Sequence, residues 1–285
     1  MGDLGKLLRT TRADVAVLST GSSLRDLKGQ IAALIKKGLH VVSTCEELSF
    51  PVPARVGAFR ELDALARRKK VSVLGTGVNP GYAMDALALF LTAPCARVNR
   101  VSVTRVVDAA TRRLPLQRKV GAGLNLAQFR RAITEGSVRH VGLPESAYMI
   151  AAGLGWKLDR VDETLEPAIA PRDLDTEYLR VPAGNAAGIK QSARGYRQDE
   201  LLVSLDLQMY VGAEQPRDHI LIDGVPPIDM TIAGGIAGDV ATAAIAINAI
   251  PKLFAARAGV VTMRDLPLVH ALSPLEAKAL PPKKR

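Results

Sequence analysis

The sequence predicts an α/β fold in which a parallel sheet precedes an α+β region with an open, largely antiparallel sheet. Two apolar runs, Asp14 to Thr20 and Gly38 to Thr44, flank one helical pattern, and a third run, Val71 to Leu74, follows a second helical pattern. Strand–helix–strand units of this length form parallel crossovers. From Val98 onward the apolar residues alternate with polar ones, which is typical of strands with one exposed face.

The first helical pattern should begin at Ser23, because Ser23 and Asp26 have the spacing of a capping box. It should end at Gly38, which follows two lysines. The second helix is predicted over Phe59 to Lys70. One apolar face of the first helix is formed by Leu24, Leu27, Ile31 and Leu34.

The later part of the chain mixes helices with alternating strands. Asn125 and Gln128 form a second capping-box pattern at the start of a short helix. A helix that begins near Asp239 is apolar all round and is therefore expected to be buried. The other predicted helices are Met84 to Leu91 and Pro144 to Leu154, and the predicted β-rich segments are Val98 to Val107, Gly188 to Tyr196, Leu201 to Tyr210 and His219 to Met230. The last of these segments is expected to be broken by an Asp223-Gly224 turn and by Pro226-Pro227.

Polar and Gly-rich tips follow the second and third predicted strands. Cys45-Glu46-Glu47 ends the second strand, and the third runs into Gly75-Thr76-Gly77-Val78-Asn79-Pro80-Gly81. Ligands of open α/β sheets bind outside such strand ends, so the pattern indicates the nicotinamide-facing half of a dinucleotide-binding domain. Only thirteen residues precede Asp14, and a Gly-rich phosphate loop is expected before such a half. We therefore expect an incomplete Rossmann-type sheet that binds dinucleotide weakly or not at all.

These patterns divide the chain into four parts. Residues 1–80 are predicted to form a partial dinucleotide-binding domain, and residues 81–236 a substrate and oligomerisation domain. Residues 237–272 should be a helical return to the first domain, and residues 273–285 a flexible, Pro-rich tail. The alternating strands of the second domain need burial, so we expect at least a homodimer.

Composition narrows the function classes. With 48% hydrophobic and 23% charged residues the chain is ordinary for a globular protein. Its longest apolar run, Val240 to Ile250, is short of the ~20 residues that span a bilayer, and the N-terminus lacks a signal-peptide core. The net charge of +10 is spread along a chain with 4% aromatic residues, which disfavours nucleic-acid binding. We expect a cytoplasmic protein with neither a membrane nor a nucleic-acid partner.

Other Gly clusters are poor candidates for a phosphate loop. The segment Ala233 to Gly238 has suitable spacing, but Asp239 at the following helix N-cap would repel a pyrophosphate. The Gly75 to Pro80 tip lacks the third glycine of the pattern, and so does Gly121-Ala122-Gly123. None of these segments is predicted to hold the pyrophosphate.

The best candidate site is the end of the second strand. Ser43 and Thr44 are small enough for a nicotinamide ring to approach, and a carboxylate just beyond can reach a substrate. Adjacent side chains point in different directions, so at most one of Glu46 and Glu47 should face the cleft. Cys45 is disfavoured as a nucleophile, because two neighbouring carboxylates should raise its pKa.

Five segments together carry a family resemblance. They are Thr20 to Ser23 (TGSS), Ser43 to Glu47 (STCEE), Gly75 to Gly81 (GTGVNPG), His140 to Ser146 (HVGLPES) and Gly234 to Ala243 (GGIAGDVATA). In this order and spacing they resemble the 2,4-diaminopentanoate dehydrogenase family and the related native amine dehydrogenases, which are distant relatives of dihydrodipicolinate reductase. The resemblance covers the chain from about Asp3 onward.

The resemblance implies an NAD(P)-dependent oxidoreductase that interconverts an amine or diamino acid with a ketone and ammonia. It implies NAD or NADP as cofactor and a small amine or ketone as substrate. Glu46 corresponds to the acid/base glutamate, with Glu47 as the second choice, and His140 is a candidate substrate contact or a structural residue. The residues implied to line the cofactor are Thr20, Gly21, Ser22, Ser43, Thr44, Cys45, Asn79 and Pro80.

Competing interpretations are weaker. Dihydrodipicolinate reductase activity would need a paired-histidine signature, and homoserine dehydrogenase chemistry would need a lysine where Glu46 stands. His40, His219 and His270 have no partners at metal-ligand spacing, so no metal is expected. From another class, the alternative is a truncated, non-catalytic paralogue that oligomerises without binding dinucleotide.

Overall fold

The computed structural model describes residues 4–272, so the tail predicted for residues 273–285 lies outside the described residues. The α-helices in this range are α1 Leu4–Thr10, α2 Leu24–Lys36, α3 Val56–Lys69, α4 Ala86–Leu91, α5 Leu114–Lys119, α6 Leu126–Thr134, α7 Leu143–Gly153 and α8 Gly238–Ala255. The strands are β1 Val15–Leu18, β2 His40–Ser43, β3 Ser72–Gly75, β4 Arg97–Asp108, β5 Arg160–Ile169, β6 Leu174–Asp175, β7 Arg180–Val181, β8 Ala186–Arg197, β9 Glu200–Tyr210, β10 Arg217–Val225, β11 Ile228–Ala233 and β12 Gly259–Val261.

The first sheet is parallel throughout, in the order β1-β2-β3-β12. The predicted parallel pairing of the first three strands is therefore confirmed. Helices α2 and α3 cover one face, and α8 covers the other. β1 lies at one edge, where Val17 is 47% exposed. β12 was not predicted, because three apolar residues are too few to show a strand periodicity.

The second sheet has the order β11-β10-β4-β9-β8-β5. Its neighbours pair antiparallel except for β4 and β9, which are parallel. This confirms an open, largely antiparallel sheet. Helix α7 packs on its inner face, where Leu143 and Ile150 share a core with Val203, Leu205 and Ile220. The edge strand β5 was not predicted, since its charged residues hide the alternation.

One predicted helix cap is confirmed and the other is wrong. At α6 the Asn125 side chain accepts the N–H of Gln128, and the Gln128 side chain accepts the N–H of Asn125. At α2 the side chain of Ser23 makes no cap hydrogen bond. The N–H of Leu24 instead donates to the carboxylate of Glu47, at 2.8 Å. A carboxylate distant in sequence therefore replaces the local cap.

Helix α8 departs from its prediction as a fully buried helix. Ala249 and Leu253 pack against the first sheet beside Val42 and Leu74, but Val240 on the opposite side is 73% exposed. Its uniform apolar composition hides which side faces the sheet. Within residues 4–272 no helix combines the length and apolarity needed to cross a membrane.

Candidate active site

A cavity of about 720 Å³ opens at the carboxyl ends of β1, β2 and β3, beside the first turn of α8. Its position agrees with the rule that open α/β sheets bind ligands at these strand ends. Its volume is within the usual range for small-molecule sites. Of the residues proposed above for cofactor binding, those that line this cavity are Thr20, Gly21, Ser22, Thr44, Asn79 and Pro80.

Ser43 and Cys45 do not line the cavity, and both are fully buried. The Ser43 hydroxyl donates to the carbonyl of Leu18 and accepts the N–H of Cys45. The Cys45 thiol donates to the carbonyl of Ser22 at 3.2 Å. Burial, with Glu46 next in importance, raises the pKa of Cys45 to about 12, so the thiol stays protonated. Both side chains join the ends of β1 and β2.

Glu46 lines the cavity from a 3-10 turn that follows β2. Its Oε1 lies 3.6 Å from Nζ of Lys119, the last residue of α5. The Lys119 ammonium also lies 3.5 Å from the Ser22 hydroxyl. Both contacts are long, so Lys119 is held loosely beside the carboxylate.

Glu47 does not line the cavity. Its Oε2 accepts the N–H of Leu24 at the start of α2, and its Oε1 lies 3.3 Å from the Arg55 guanidinium. Arg55 also binds the buried carboxylate of Glu145 on α7. The structure therefore separates the two adjacent glutamates, with one in the cavity and one in a structural network.

His140 lines the same cavity. The backbone N–H of His140 donates to Oε1 of Gln191 at 2.9 Å. The side-chain amide of Gln191 donates back to the backbone carbonyl of His140, also at 2.9 Å. Nδ1 of His140 is buried and makes no hydrogen bond to the described residues. Burial lowers the pKa of His140 to about 3, and Lys119 and Arg105 add to the effect. The imidazole is therefore neutral at pH 7.

The loop that contains Asn79 and Pro80 forms another wall, and the peptide bond between these two residues is cis. The amide of Asn79 donates to the sulfur of Met84 at 3.2 Å. Its Oδ1 is buried and has no hydrogen-bond partner among the described residues. This oxygen is therefore a buried acceptor without a partner in a residue that lines the cavity.

Five cationic side chains that sequence reasoning missed also line the cavity: Arg105, Arg112, Arg113, Lys119 and Arg139. Arg105 forms an ion pair with Asp218, to which its Nη1 donates a hydrogen bond at 2.5 Å. The five cationic residues lie on β4, in the connection that precedes α5, on α5 itself and in the connection between α6 and α7, and no local motif marks them in the sequence.

Asp239, predicted as the N-cap of its helix, lies instead in the first turn of α8 after an Ala237 N-cap. Its carboxylate lies 3.2 Å from Arg112 and 3.6 Å from Arg113. One carboxylate is thus shared by two guanidinium groups. Among residues 4–272 no group of His, Cys, Asp or Glu side chains has an arrangement that could hold a metal ion.

Comparisons with known proteins agree with this architecture. The family model described as 2,4-diaminopentanoate dehydrogenase C-terminal domain matches residues 82–280. A 2,4-diaminopentanoate dehydrogenase of Acetoanaerobium sticklandii is 33% identical over 278 residues, which cover 95% of this chain and 79% of the relative. An amine dehydrogenase from Mycobacterium smegmatis has a similar fold, with a TM-score of 0.84 at 21% identity, over 95% of this chain and 80% of that one. The chain therefore belongs to the 2,4-diaminopentanoate dehydrogenase family.

Proposed function

We propose that this protein is an NAD(P)-dependent oxidoreductase acting on C–N bonds, which interconverts an amine or a diamino acid with a ketone and ammonia. One observation carries the proposal: Glu46 is the carboxylate at the carboxyl end of β2 that lines the cavity, beside the Asn79–Pro80 loop. Membership of the family and the name of the 33% identical relative support it.

The residues of the cavity fit the nicotinamide part of a dinucleotide. Thr20, Gly21 and Thr44 are small residues at strand ends, where a flat ring can approach the backbone. Asn79 and Pro80 would form the wall of the pocket that holds the ring. When bound, NAD(P)H would supply the hydride that reduces the substrate carbon. The fit holds for NAD and for NADP.

Glu46 is the proposed acid/base residue. Ammonium must lose a proton before its nitrogen attacks the ketone, and the resulting carbinolamine must lose water to give an iminium ion. A carboxylate in the cavity can accept the first proton and then return it to the leaving hydroxyl as water departs. Its negative charge also stabilises the iminium cation until hydride arrives. Neutral His140 is proposed as a hydrogen-bond contact to the substrate, since it lines the same cavity.

The cationic lining supports a substrate that also carries a carboxylate. Arg112 and Arg113 share one carboxylate, and Lys119 is held loosely by Glu46. When Glu46 binds the amine of the substrate, Lys119 becomes available for an anionic group of the same molecule. The relative from Acetoanaerobium sticklandii is named for such a compound, 2,4-diaminopentanoate. We also propose a homodimer, formed through the exposed face of the six-stranded sheet.

The test is an activity assay with a binding assay beside it. Two proteins would be compared: the 285-residue chain, and the product of the same reading frame extended by any in-frame upstream codons. Each would be titrated with NADH and with NADPH while the nicotinamide fluorescence is followed. Oxidation of 2,4-diaminopentanoate would be followed by the absorbance of the reduced cofactor and by release of ammonia. We expect both signals to depend on the amine. Oligomers that bind no dinucleotide in either form would overturn the proposal and favour a non-catalytic protein.

A further inference from the structure

We propose that the first turn of α7 is the positioning element of the active site: through Gly142, Glu145 and Ser146 it fixes the turn that carries Glu46 and the Asn79–Pro80 loop relative to each other. The role of Glu46 in this inference rests on the function proposed above. The segment belongs to the HVGLPES motif, in which only His140 has so far been given a role.

Gly142 brings the start of α7 against both parts of the site. It precedes Leu143 as the helix N-cap, with φ of 117°, a conformation that favours glycine. A Cβ atom added at this position would collide with the ring of Pro80 and would lie 3.4 Å from Cβ of Glu46. The helix start is therefore in close contact with the loop and with the glutamate at once.

Glu145 holds the turn that carries Glu46. Its side chain is fully buried, and its Oε1 accepts a hydrogen bond from Nη2 of Arg55. The other terminal nitrogen of Arg55 lies 3.3 Å from Glu47, whose second oxygen accepts the N–H of Leu24. A continuous chain of contacts thus runs from α7 through Arg55 to the residue next to Glu46.

Ser146 holds the other wall of the cavity. Its hydroxyl donates to Oδ2 of Asp85 at 2.7 Å, and the N–H of Gly81 donates to the same oxygen at 2.8 Å. Asp85 is fully buried and also caps α4 through the N–H of Ala86. The backbone immediately after Pro80 is therefore tied to the same turn of α7.

This arrangement transfers the rigidity of the second sheet to the site. Leu143 and Ile150 anchor α7 in the core of that sheet, whereas Glu46 and Pro80 follow strands of the first sheet. A buried ion pair such as Glu145 with Arg55 gives little net stability over an apolar replacement, because both charges must be desolvated. The Glu145–Arg55 pair is better explained by positioning, because the reacting groups of an active site must be held within a fraction of an ångström of their productive positions.

The test replaces Glu145 by Gln, which keeps the size of the side chain and removes its charge. We expect kcat to fall by about 10- to 100-fold, as misplacement of a reacting group does. The KM for the amine and the Kd for NAD(P)H should change by less than about threefold, because neither ligand touches Glu145. The primary isotope effect on kcat with an amine deuterated at the reacting carbon should rise, since hydride transfer becomes slower. Amide exchange at residues 46–48 should accelerate.

The matched control is Ile189→Val, a substitution on β8 in a core that contains no residue of α7, and Ile189 does not line the cavity. This substitution should lower the melting temperature without changing the isotope effect or the exchange at residues 46–48. Arg55→Lys keeps the charge but not the two-sided contact, so it should resemble Glu145→Gln in kind.

The two hypotheses fail in different ways. Glu145→Gln with unchanged kcat and unchanged exchange at residues 46–48, in an active wild type, would overturn the positioning role. A wild type without amine-dependent reduction of dinucleotide would overturn the proposed function, and the exchange measurement would still decide whether α7 positions the turn.

Discussion

Glu47 accepts the backbone N–H of Leu24 at 2.8 Å, although the two residues are 23 positions apart in the sequence. This bond ties the turn after β2 to the first helical turn of α2, where a negative charge is favoured by the helix dipole. It also directs Glu47 away from the cavity that Glu46 lines. The two adjacent glutamates therefore differ in environment, and their roles can be tested separately.

Glu46→Gln should lower kcat for reductive amination by about 10²- to 10⁴-fold, because Gln cannot exchange a proton with the substrate. The Kd for NAD(P)H should stay nearly unchanged. Steady-state kinetics and fluorescence titration measure the two quantities. As a comparison, Glu47→Gln should lower the melting temperature and cost less activity. Equal losses of kcat in the two variants would contradict the assignment of Glu46 as the acid/base.

Lys119→Met should weaken binding of a substrate that carries a carboxylate. Loss of one charged hydrogen bond is worth about 1.5–3 kcal/mol, so the KM for such a substrate should rise by about tenfold or more. The KM for a carboxylate-free amine of the same chain length should change little. Lys119→Arg serves as the control, since it keeps the positive charge. A parallel rise of KM for both substrates would argue against a carboxylate partner for Lys119.

His140 should make the stability of the protein sensitive to acid. Its pKa is lowered to about 3 in the fold, against about 6.5 in the unfolded chain. Between pH 3 and pH 6.5 the unfolded chain binds a proton at His140 that the folded protein does not bind. The free energy of unfolding is therefore highest above about pH 6.5 and decreases as the pH falls toward 3. Urea unfolding of wild type and His140→Gln at several pH values should show a difference that grows by at most about 1.4 kcal/mol per pH unit. Parallel stability curves would show that His140 is not buried in its neutral form.

The chain should be a dimer at micromolar concentration. Leu221 on β10 is 38% exposed on the side of the six-stranded sheet that faces away from the core. Leu221→Asp should therefore shift the mass measured by light scattering toward the monomer. Leu7 on α1 is also exposed, and Leu7→Asp should leave the mass unchanged. A monomeric wild type would refute the prediction.

The sequence was sufficient where structure follows from local pattern. The apolar runs Asp14 to Thr20, Gly38 to Thr44 and Val71 to Leu74 predicted three parallel strands, because a buried parallel strand must be apolar on both faces, and the structure confirms all three with slightly different ends. The capping box at Asn125 was equally readable, since both of its partners lie within one turn. The STCEE segment also indicated that a carboxylate would lie at the end of a strand.

Tertiary structure decided what depends on contacts between distant residues. Only the fold shows that Glu46 lines the cavity while Glu47 caps α2, because that difference is set by Leu24 and Arg55. Arg112, Arg113 and Lys119 come from a connection and a short helix that carry no recognisable motif. Only the fold brings these residues to the same cavity as Glu46. The sequence determines which groups are present and which local elements they occupy. Their mutual distances, and therefore their chemistry, come from packing between segments that local pattern cannot relate.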